Sequence, residues 1–442
     1  MSEAKLTERS EMNILKNNFI CQLIKSRPFI FLVRLPFVAA FMLIVYAGFS
    51  GSIYRNGATL AVMFWLVFIS LLAIMGGKIW CLICPWNIIT EWLQKILLPA
   101  DNKLLNFKVP KLFRNLWLPV FLFLLIIWLE YAAAMTDNAR MVAYLALIIF
   151  GSTFVSALIF TRKSFCRYAC PVGAICGIYG LFAPLELRSS DKETCKKCQS
   201  KDCVKGNEKG APCPVFEYPG IMDDSFYCIL CTECIHTCPN DNITVNIRAP
   251  AFDLAKFRIL SFSEFFIIIS MLALSVFGAI NISIFHLQII DWASTNLLLP
   301  GMVSLLFLML LLIAAVFLII YAIARVYNVS ASMIVYVMLP IALFNHMANT
   351  VKLFSIRAEE AVSLISDPLG FSWNLFGTSG YLPKTLFAPA TLMIITVPLM
   401  LFGLLFSMYL AYRMRNQSRV SVIMLLIPMG FLVWFNWWLM PQ

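Results

Sequence analysis

Nine apolar runs, each close to the length that crosses a lipid bilayer, restrict the fold of this chain more than any other feature of its sequence. Hydrophobic residues make up 61% of the 442 positions and charged residues 13%, which is more apolar surface than one soluble core can bury. We therefore predict a polytopic α-helical membrane protein with about nine transmembrane helices. The runs cover residues 35–50, 58–76, 115–134, 141–160, 263–285, 299–323, 330–351, 386–411 and 420–438.

The distribution of the basic residues predicts how these helices are oriented. If the N-terminus is cytoplasmic, 29 of the 34 Lys and Arg residues fall in segments on the cytoplasmic side. This positive-inside bias favours a multi-pass protein of the bacterial cytoplasmic (inner) membrane, surrounded by membrane lipid. The topology thereby explains the net charge of +11, and no nucleic-acid partner is expected. The first run lacks a convincing cleavage site and is interpreted as an uncleaved helix.

One segment, residues 186–258, is rich in Lys, Asp, Gly, Pro and Cys and has no apolar run long enough to span a membrane. Eight of the 14 cysteines lie between residues 195 and 238. A reducing cytoplasm does not use so many cysteines for disulfides, so we expect them to bind metal. The predicted domains are an N-terminal cytoplasmic segment (1–34), a four-helix membrane unit (35–185), this cysteine-rich domain (186–258) and a five-helix C-terminal membrane domain (259–442).

The run from Cys228 to Pro239 has the C-x2-C-x2-C-x3-C-P spacing of bacterial ferredoxins. In two-cluster ferredoxins the first three cysteines bind one [4Fe-4S] cluster and the fourth binds the other, and a looser partner motif ends here at Pro214. We therefore predict a cytoplasmic, two-cluster bacterial ferredoxin-like α+β domain. The expected ligands are Cys195, Cys198, Cys203 and Cys238 for the first cluster and Cys213, Cys228, Cys231 and Cys234 for the second. The alternative is a pair of four-thiolate zinc sites.

Two further cysteine pairs stand where predicted membrane helices meet the cytoplasm. Cys81 and Cys84 follow the second apolar run, Cys166 and Cys170 follow the fourth, and each pair ends in a Cys-Pro step. We interpret these four thiols either as a third metal centre or as a redox-active dithiol relay beside the clusters. The alternative is that they are cysteines packed at helix ends.

With these motifs, the chain from about residue 35 to about residue 245 resembles the NapH/NosR-type membrane polyferredoxins. The resemblance implies a four-helix membrane unit with two Cys-Pro motifs and two [4Fe-4S] clusters at the cytoplasmic face. It also implies electron transfer between the quinol pool and periplasmic partners. Cys81 and Cys84 depart from the family pattern, because two residues separate them where the family usually has three. The five helices after the ferredoxin domain have no counterpart in that pattern.

The C-terminal half contains His286 and His346, which we expect at similar depth near the outer face. They are interpreted as axial ligands of a haem b, as groups that bind a quinone with Glu130 as a further proton acceptor, or as structural interfacial histidines. His236 lies between two cluster cysteines, and we expect it to neighbour a cluster rather than to bind iron. The outer loop 352–385 is expected either to dock a partner or to anchor the chain at the interface.

The predicted function is that of a membrane-bound iron–sulfur protein that passes electrons between a quinone pool or cytoplasmic donor and a respiratory redox partner. That partner is expected to be a multihaem cytochrome, a periplasmic reductase or another iron–sulfur subunit. The alternatives are an electron-donating maturation factor or a redox regulator for a periplasmic metalloenzyme. The sequence has no nucleophile motif, phosphate loop or dinucleotide fingerprint. As an enzyme it is expected at most to be the electron-transfer subunit of a quinol dehydrogenase in anaerobic respiration.

Overall fold

The computed structural model describes residues 12–54, 56–97, 105–255, 260–282, 285–414 and 430. Within these residues the chain is mostly helical, with one small sheet. It divides into two compact units. The first unit comprises Met1–Met42, Ile69–Pro119 and Ala146–Lys256, and the second comprises Leu43–Phe68, Val120–Leu145 and Phe257–Gln442.

The helices follow the apolar runs and add several shorter elements between them. Up to the cysteine-rich segment they are α1 (Asn18–Lys25), α2 (Arg27–Ser50), α3 (Gly57–Gly76), α4 (Trp80–Ile83), α5 (Pro85–Leu97), α6 (Trp117–Ala133), α7 (Ala139–Ile159), α8 (Ser164–Tyr168) and α9 (Pro171–Phe182). Then come α10 (Lys192–Lys197), α11 (Asp202–Lys205), α12 (Glu233–Thr237), α13 (Phe262–Ile282), α14 (Phe285–Leu297), α15 (Gly301–Val326), α16 (Ala331–Arg357), α17 (Glu360–Ser366) and α18 (Pro389–Met414).

Seven helical segments among the described residues are long and apolar enough to cross a membrane, which supports a multi-pass membrane protein. They are α2, the stretch Gly57–Ile96, α7, α13 as far as Asn281, α15, α16 and α18, and each coincides with a predicted run. The third predicted run forms α6, which has 17 residues. The ninth, at 420–438, lies outside the described residues.

The stretch Gly57–Ile96 breaks at the first Cys-Pro motif. Helix α3 ends at Gly76, a 3-10 turn follows at Gly77–Ile79, and α5 begins at Pro85. Gly77 has φ +58°, and a Cβ placed there would lie 2.5 Å from the Cα of Gly180 in α9. Only glycine tolerates both the left-handed backbone and this close approach. The break therefore packs against α9 and sets the position of the cysteines that follow it.

The cysteine-rich segment is framed by a three-stranded antiparallel sheet of order β1-β3-β2. The strands are β1 (Met12–Asn13), β2 (Leu185–Ser189) and β3 (Ile243–Ile247). Leu185 of β2 pairs with Ile247 of β3, so β2 enters the first cysteine motif beside the exit from the second. Both motifs therefore start and finish at one sheet, and that sheet packs a small apolar core against the thiols. Its buried members include Leu187, Met222, Leu230, Ile235, Ile243 and Val245.

In the second unit, α13 and α16 form the buried centre. Most of the residues in both helices are buried, whereas α15 and α18 leave most of theirs at the surface. Gly403 of α18 approaches α16 so closely that a Cβ there would lie 2.9 Å from Cβ of Phe344. The exposed residues of α15 include Phe307 and Leu318. Such an apolar outer surface is what lipid contact requires, because lipid tails are themselves apolar.

Candidate iron–sulfur site

Four thiols line one small cavity in the cysteine-rich segment. They belong to Cys213, Cys228, Cys231 and Cys234, which are the ligands expected for the second cluster. Leu230 and Thr232 have φ of +51° and +63°, in the left-handed region that residues other than glycine seldom adopt. These turns on either side of Cys231 coil the loop tightly, so that three cysteines of one short run reach the same cavity.

The ligands expected for the first cluster also lie close together. Cys195 belongs to α10, Cys198 ends that helix, Cys203 belongs to α11 and Cys238 directly follows α12. Burial, followed by the neighbouring thiols of Cys238, Cys195 and Cys198, raises the pKa of the Cys203 thiol to about 11. The structure thus gathers the four cysteines that the crossover pattern assigns to one cluster.

The donor set fits an iron–sulfur cluster. Each group consists of four sulfur atoms in a largely apolar setting, and a [4Fe-4S] cluster is held by four cysteine thiolates. Burial raises the pKa of Cys228 to about 11 and that of Cys231 to about 12. In the described part of the chain, no three His, Cys, Asp or Glu side chains form a group that could hold a single metal ion.

Asn242 hydrogen-bonds to two thiols of the first group. Its side-chain amide donates to Cys195 Sγ at 3.3 Å, and its backbone N–H donates to Cys238 Sγ at 3.4 Å. The same side chain donates to the carbonyl oxygen of Asp191 at 2.6 Å and accepts from its N–H at 2.9 Å. Sequence reasoning missed Asn242, because its only signal is a position four residues after Cys238.

The two Cys-Pro pairs meet in the first unit. Among the thiols, Cys84 interacts electrostatically most strongly with Cys166 and then with Cys170. Cys81 interacts in the same way with Cys176, Cys166 and Cys170. Both Cys81 and Cys84 are buried. The sequence pattern predicts the four paired cysteines as one group, whereas it predicts Cys176 as ordinary packing. The structure places Cys176, which is 1% exposed, beside that group.

A buried lysine lies against these thiols. Lys78 is 2% exposed, and its ammonium lies 5.3 Å from the ring centroid of Phe226 and 5.1 Å from that of Tyr227. Cys81, Cys176 and Cys170 lie near enough to interact electrostatically with its amino group if they are ionised. A buried ammonium requires compensating negative charge, and thiolates at these positions would supply it. We name Cys81, Cys84, Cys166, Cys170 and Cys176 the membrane thiol group.

The membrane thiol group adjoins the thiols expected to bind the second cluster. Cys81 packs with the buried side chains of Val215 and Ile229, and both Cys213 and Cys231 pack against the same apolar cluster. Redox centres held by the two groups would therefore be separated only by a few side chains. The arrangement is suited to the transfer of electrons.

The loop after α7 holds the cluster-binding loops in place. Arg162 donates to the carbonyl oxygens of Cys213 at 3.1 Å and Val204 at 2.8 Å. Arg167 forms an ion pair of 2.9 Å with Glu217 and donates to the carbonyl of Val215. Because these contacts flank Cys166, the second Cys-Pro motif and the loop of Cys213 are positioned by one set of hydrogen bonds.

The polar residues predicted for a haem or quinone site have other local partners. His286 lies in the first turn of α14 rather than at the end of α13, and its Nδ1 hydrogen-bonds with Oδ1 of Asn281. His346 lies within α16. Glu130 accepts hydrogen bonds from the N–H and the hydroxyl of Thr136, so it caps the turn after α6. Their roles toward haem or quinone remain predictions.

Comparison with known proteins bears on the two Cys-Pro pairs, because the matching segments end before the first cysteine of the cysteine-rich segment. Residues 58–111 and 142–186 match the family model of a 4Fe-4S binding domain, and these segments include both Cys-Pro pairs. No solved structure gives a significant match.

Three relatives match part of the chain. An uncharacterized protein of Methanocaldococcus jannaschii is 27% identical over 225 residues, which cover 47% of this chain and 80% of the relative. The methylamine utilization ferredoxin-type protein MauN of Methylorubrum extorquens is 30% identical over 171 residues, or 37% of this chain and 56% of MauN. The ferredoxin-type protein NapH of Escherichia coli is 24% identical over 203 residues, or 43% and 69%. The chain resembles the NapH-type membrane polyferredoxins, which supports iron–sulfur electron transfer, and its structure has further long apolar helices after the cysteine-rich segment.

Proposed function

We propose that the protein passes electrons between a quinone pool or cytoplasmic donor and a respiratory redox partner, at the cytoplasmic face of the bacterial inner membrane. The observation that carries this proposal is the gathering of eight cysteines into two adjoining groups of four. Cys195, Cys198, Cys203 and Cys238 would hold one [4Fe-4S] cluster, and Cys213, Cys228, Cys231 and Cys234 the other. Each cluster supplies one-electron chemistry when bound.

The two groups are close enough for electrons to move between them. Cys203 of the first group interacts with Cys213 of the second, and the N–H of Cys213 donates to the carbonyl oxygen of Cys203 at 3.2 Å. Cys234 of the second group also lies close enough to Cys203 for their thiols to interact electrostatically. These contacts support a continuous route through the cysteine-rich segment.

The membrane thiol group is proposed as a third redox site on the same route. Its paired cysteines fall inside the segments that match a 4Fe-4S binding domain, and Cys81 packs on the cluster shared with Cys213 and Cys231. The burial of Lys78 supports an anionic centre there, because its ammonium would otherwise lack compensating charge.

The same thiols favour a second candidate function. A maturation factor that keeps the metal site of a periplasmic enzyme reduced would need buried, reducible thiols next to an electron supply. Cys84, Cys166 and Cys170 meet that description beside the second group. The two functions differ in the product, because respiration delivers electrons continuously to a partner, whereas maturation changes the redox state of a bound metal.

The proposal is tested by iron and acid-labile sulfide analysis of the anaerobically purified protein, together with EPR and a haem optical spectrum. About eight irons without haem would support two cubanes, and about twelve would support a third cluster in the membrane thiol group. A haem band would support axial ligation by His286 and His346. Stoichiometric zinc, with no EPR signal from an iron–sulfur cluster, would overturn the proposal. Reduction of the clusters by a quinol, followed by EPR, would support the quinone link.

A further inference from the structure

A cavity of about 770 Å³ opens in the first unit beside the cluster-binding loops. Its walls come from the start of α2, from α5, from the end of α7, from the loop after it and the start of α8, from residues 207–214, and from Cys231 and α12. This volume is within the range of pockets that bind small organic ligands. The sequence analysis did not predict it.

The lining has an apolar part and a polar part. The apolar part includes Ile30, Phe31, Trp92, Phe160 and Phe165. Phe31 and Trp92 contact each other with ring centroids 5.4 Å apart. The polar part includes neutral groups, the side chains of Asn87, Thr90 and Ser156. A ligand that fits such a lining has a flat apolar ring with a few oxygen atoms and an apolar tail.

Thr90 gives a separate indication of a ligand. Its side chain is 4% exposed, and its hydroxyl has no hydrogen-bond partner within the described chain. A buried hydroxyl without a partner costs about 1–3 kcal/mol, so such groups usually bind something. Because Thr90 lines this cavity, an oxygen atom of a bound molecule would satisfy it.

The cationic residues of the lining already have partners. Glu91 is paired with Lys95 at 3.2 Å, Lys163 at 3.6 Å and Arg34 at 3.8 Å. Arg162 donates to two backbone carbonyl oxygens, and Arg27 donates to the carbonyl of Lys209. A phosphate group would have to compete with these acceptors.

The cavity also reaches the redox site. Cys231 and Cys166 both contribute to its lining, so a ligand inside it would lie against a thiol of the second group and against the membrane thiol group. An electron would then pass from the ligand to the iron–sulfur centre over a short distance. A quinone site at His286 or His346, which the sequence predicts near the outer face, would require a longer transfer.

We propose that this cavity binds the head group of a membrane quinone, with the Thr90 hydroxyl donating to a ring oxygen. The inference rests on the proposed function, which supplies the iron–sulfur centre as the electron acceptor. When a bound quinol is oxidised to the quinone, its two electrons pass one at a time to that centre. The two hydroxyl protons leave to water at the mouth of the cavity, where Lys95 and Glu208 are exposed. The reverse reaction takes up the same electrons and protons.

The test is photo-cross-linking of the purified full-length holoprotein with an azidoquinone, with the labelled peptides identified by mass spectrometry. The label is expected in residues 85–97 or 153–166. Thr90→Val keeps the shape of the side chain and removes the hydroxyl, so it should weaken labelling about tenfold. The matched control is Thr396→Val, because Thr396 is equally buried in α18 and its hydroxyl bonds to the carbonyl oxygen of Leu392 in its own helix. Iron content verifies that each variant is folded.

A parallel measurement separates failure of this inference from failure of the proposed function. The clusters of the wild-type protein are treated with a short-chain quinol and followed by EPR. The inference is supported if the quinol reduces the clusters, the label is found in the cavity, and Thr90→Val weakens that labelling. Reduction with labelling elsewhere, or with equal labelling of the Thr90→Val and Thr396→Val proteins, overturns the cavity assignment and leaves the proposed function standing. Absence of both reduction and labelling overturns the inference and the quinone branch of the proposed function, and leaves a cytoplasmic donor as the source of electrons.

Discussion

The side-chain amide of Asn242 lies 3.3 Å from Cys195 Sγ and donates a hydrogen bond to it. Hydrogen bonds to cluster sulfurs favour the reduced, more negative state. We predict that Asn242→Leu lowers the reduction potential of the first cluster. A loss of about 1 kcal/mol corresponds to roughly 40 mV for a one-electron couple. An EPR-monitored redox titration measures the shift, and the exposed Asn240→Leu is the control. Equal potentials in the two variants would remove Asn242 from this role.

Cys231→Ala should remove the second cluster, because three thiolates and a methyl group cannot complete its ligation. The variant is expected to lose about half of the iron of the eight-cysteine segment and to destabilise the small core, since metal binding contributes to folding. Iron analysis and EPR give the result. Cys21→Ala is the control, because Cys21 lies in α1 outside all three thiol groups. Unchanged iron in Cys231→Ala would contradict the ligand assignment.

Cys170→Ser should leave the two clusters of the cysteine-rich segment intact and slow turnover at least severalfold, because it alters the membrane thiol group. Cys176→Ser is the informative companion. If Cys176 only packs beside the group, this variant should retain turnover; if it is a ligand, the two variants should behave alike. Cluster reduction by dithionite and steady-state electron transfer are compared. A normal rate of electron transfer in both variants would show that these thiols only pack.

The acidity of the cysteines predicts how cluster incorporation depends on pH. Burial raises the pKa of Cys231 to about 12, whereas the N–H of Lys201 and the hydroxyl of Ser200 lower that of the half-buried Cys198. The folded pKa of Cys231 exceeds the unfolded value of about 8.5. The protonated thiol therefore contributes its full stabilisation of the apoprotein below a pH of about 8.5, and this contribution is lost as the pH rises from there toward 12.

Iron must displace these protons, so reconstitution should become more favourable as the pH rises. Alkylation of the folded apoprotein, read by mass spectrometry, should label Cys198 at lower pH than Cys231. Simultaneous labelling would contradict the assigned difference in environment. Reconstitution that does not change with pH would show that thiol ionisation does not limit it.

Asp253 joins the buried Arg248 and the half-buried Arg188 beside the sheet. It contacts Arg248 through two hydrogen bonds of 2.6 Å and Arg188 at 3.1 Å, and it accepts from the N–H of Ser225. Asp253→Asn leaves the arginines with less compensating charge and should cost about 3–5 kcal/mol of stability. The thermal midpoint of cluster bleaching in the full-length protein measures it. The exposed Asp241→Asn is the control, and equal midpoints would contradict the prediction.

Much of this protein could be predicted because its strongest signals are local. A helix that crosses a bilayer needs a continuous apolar run, and seven of the nine predicted runs became such helices in the described chain. The cysteine spacing likewise predicts that three thiols of one loop lie together, and Cys228, Cys231 and Cys234 line one cavity. Other features were missed for the opposite reason. The sequence predicts His286 at the outer end of the span 263–285 and no separate helix after it, whereas His286 lies in α14.

The sequence alone therefore determined the membrane helices, the eight-cysteine pattern and its division into two sets, because each depends on residues near one another in the chain. Only the tertiary structure placed Lys78 and Cys176 beside the Cys-Pro pairs and Asn242 against Cys195. It also enclosed the cavity of Thr90 between helices and loops that are more than a hundred residues apart in sequence. Such neighbours leave no periodic or spacing signal, since packing between distant segments brings them together.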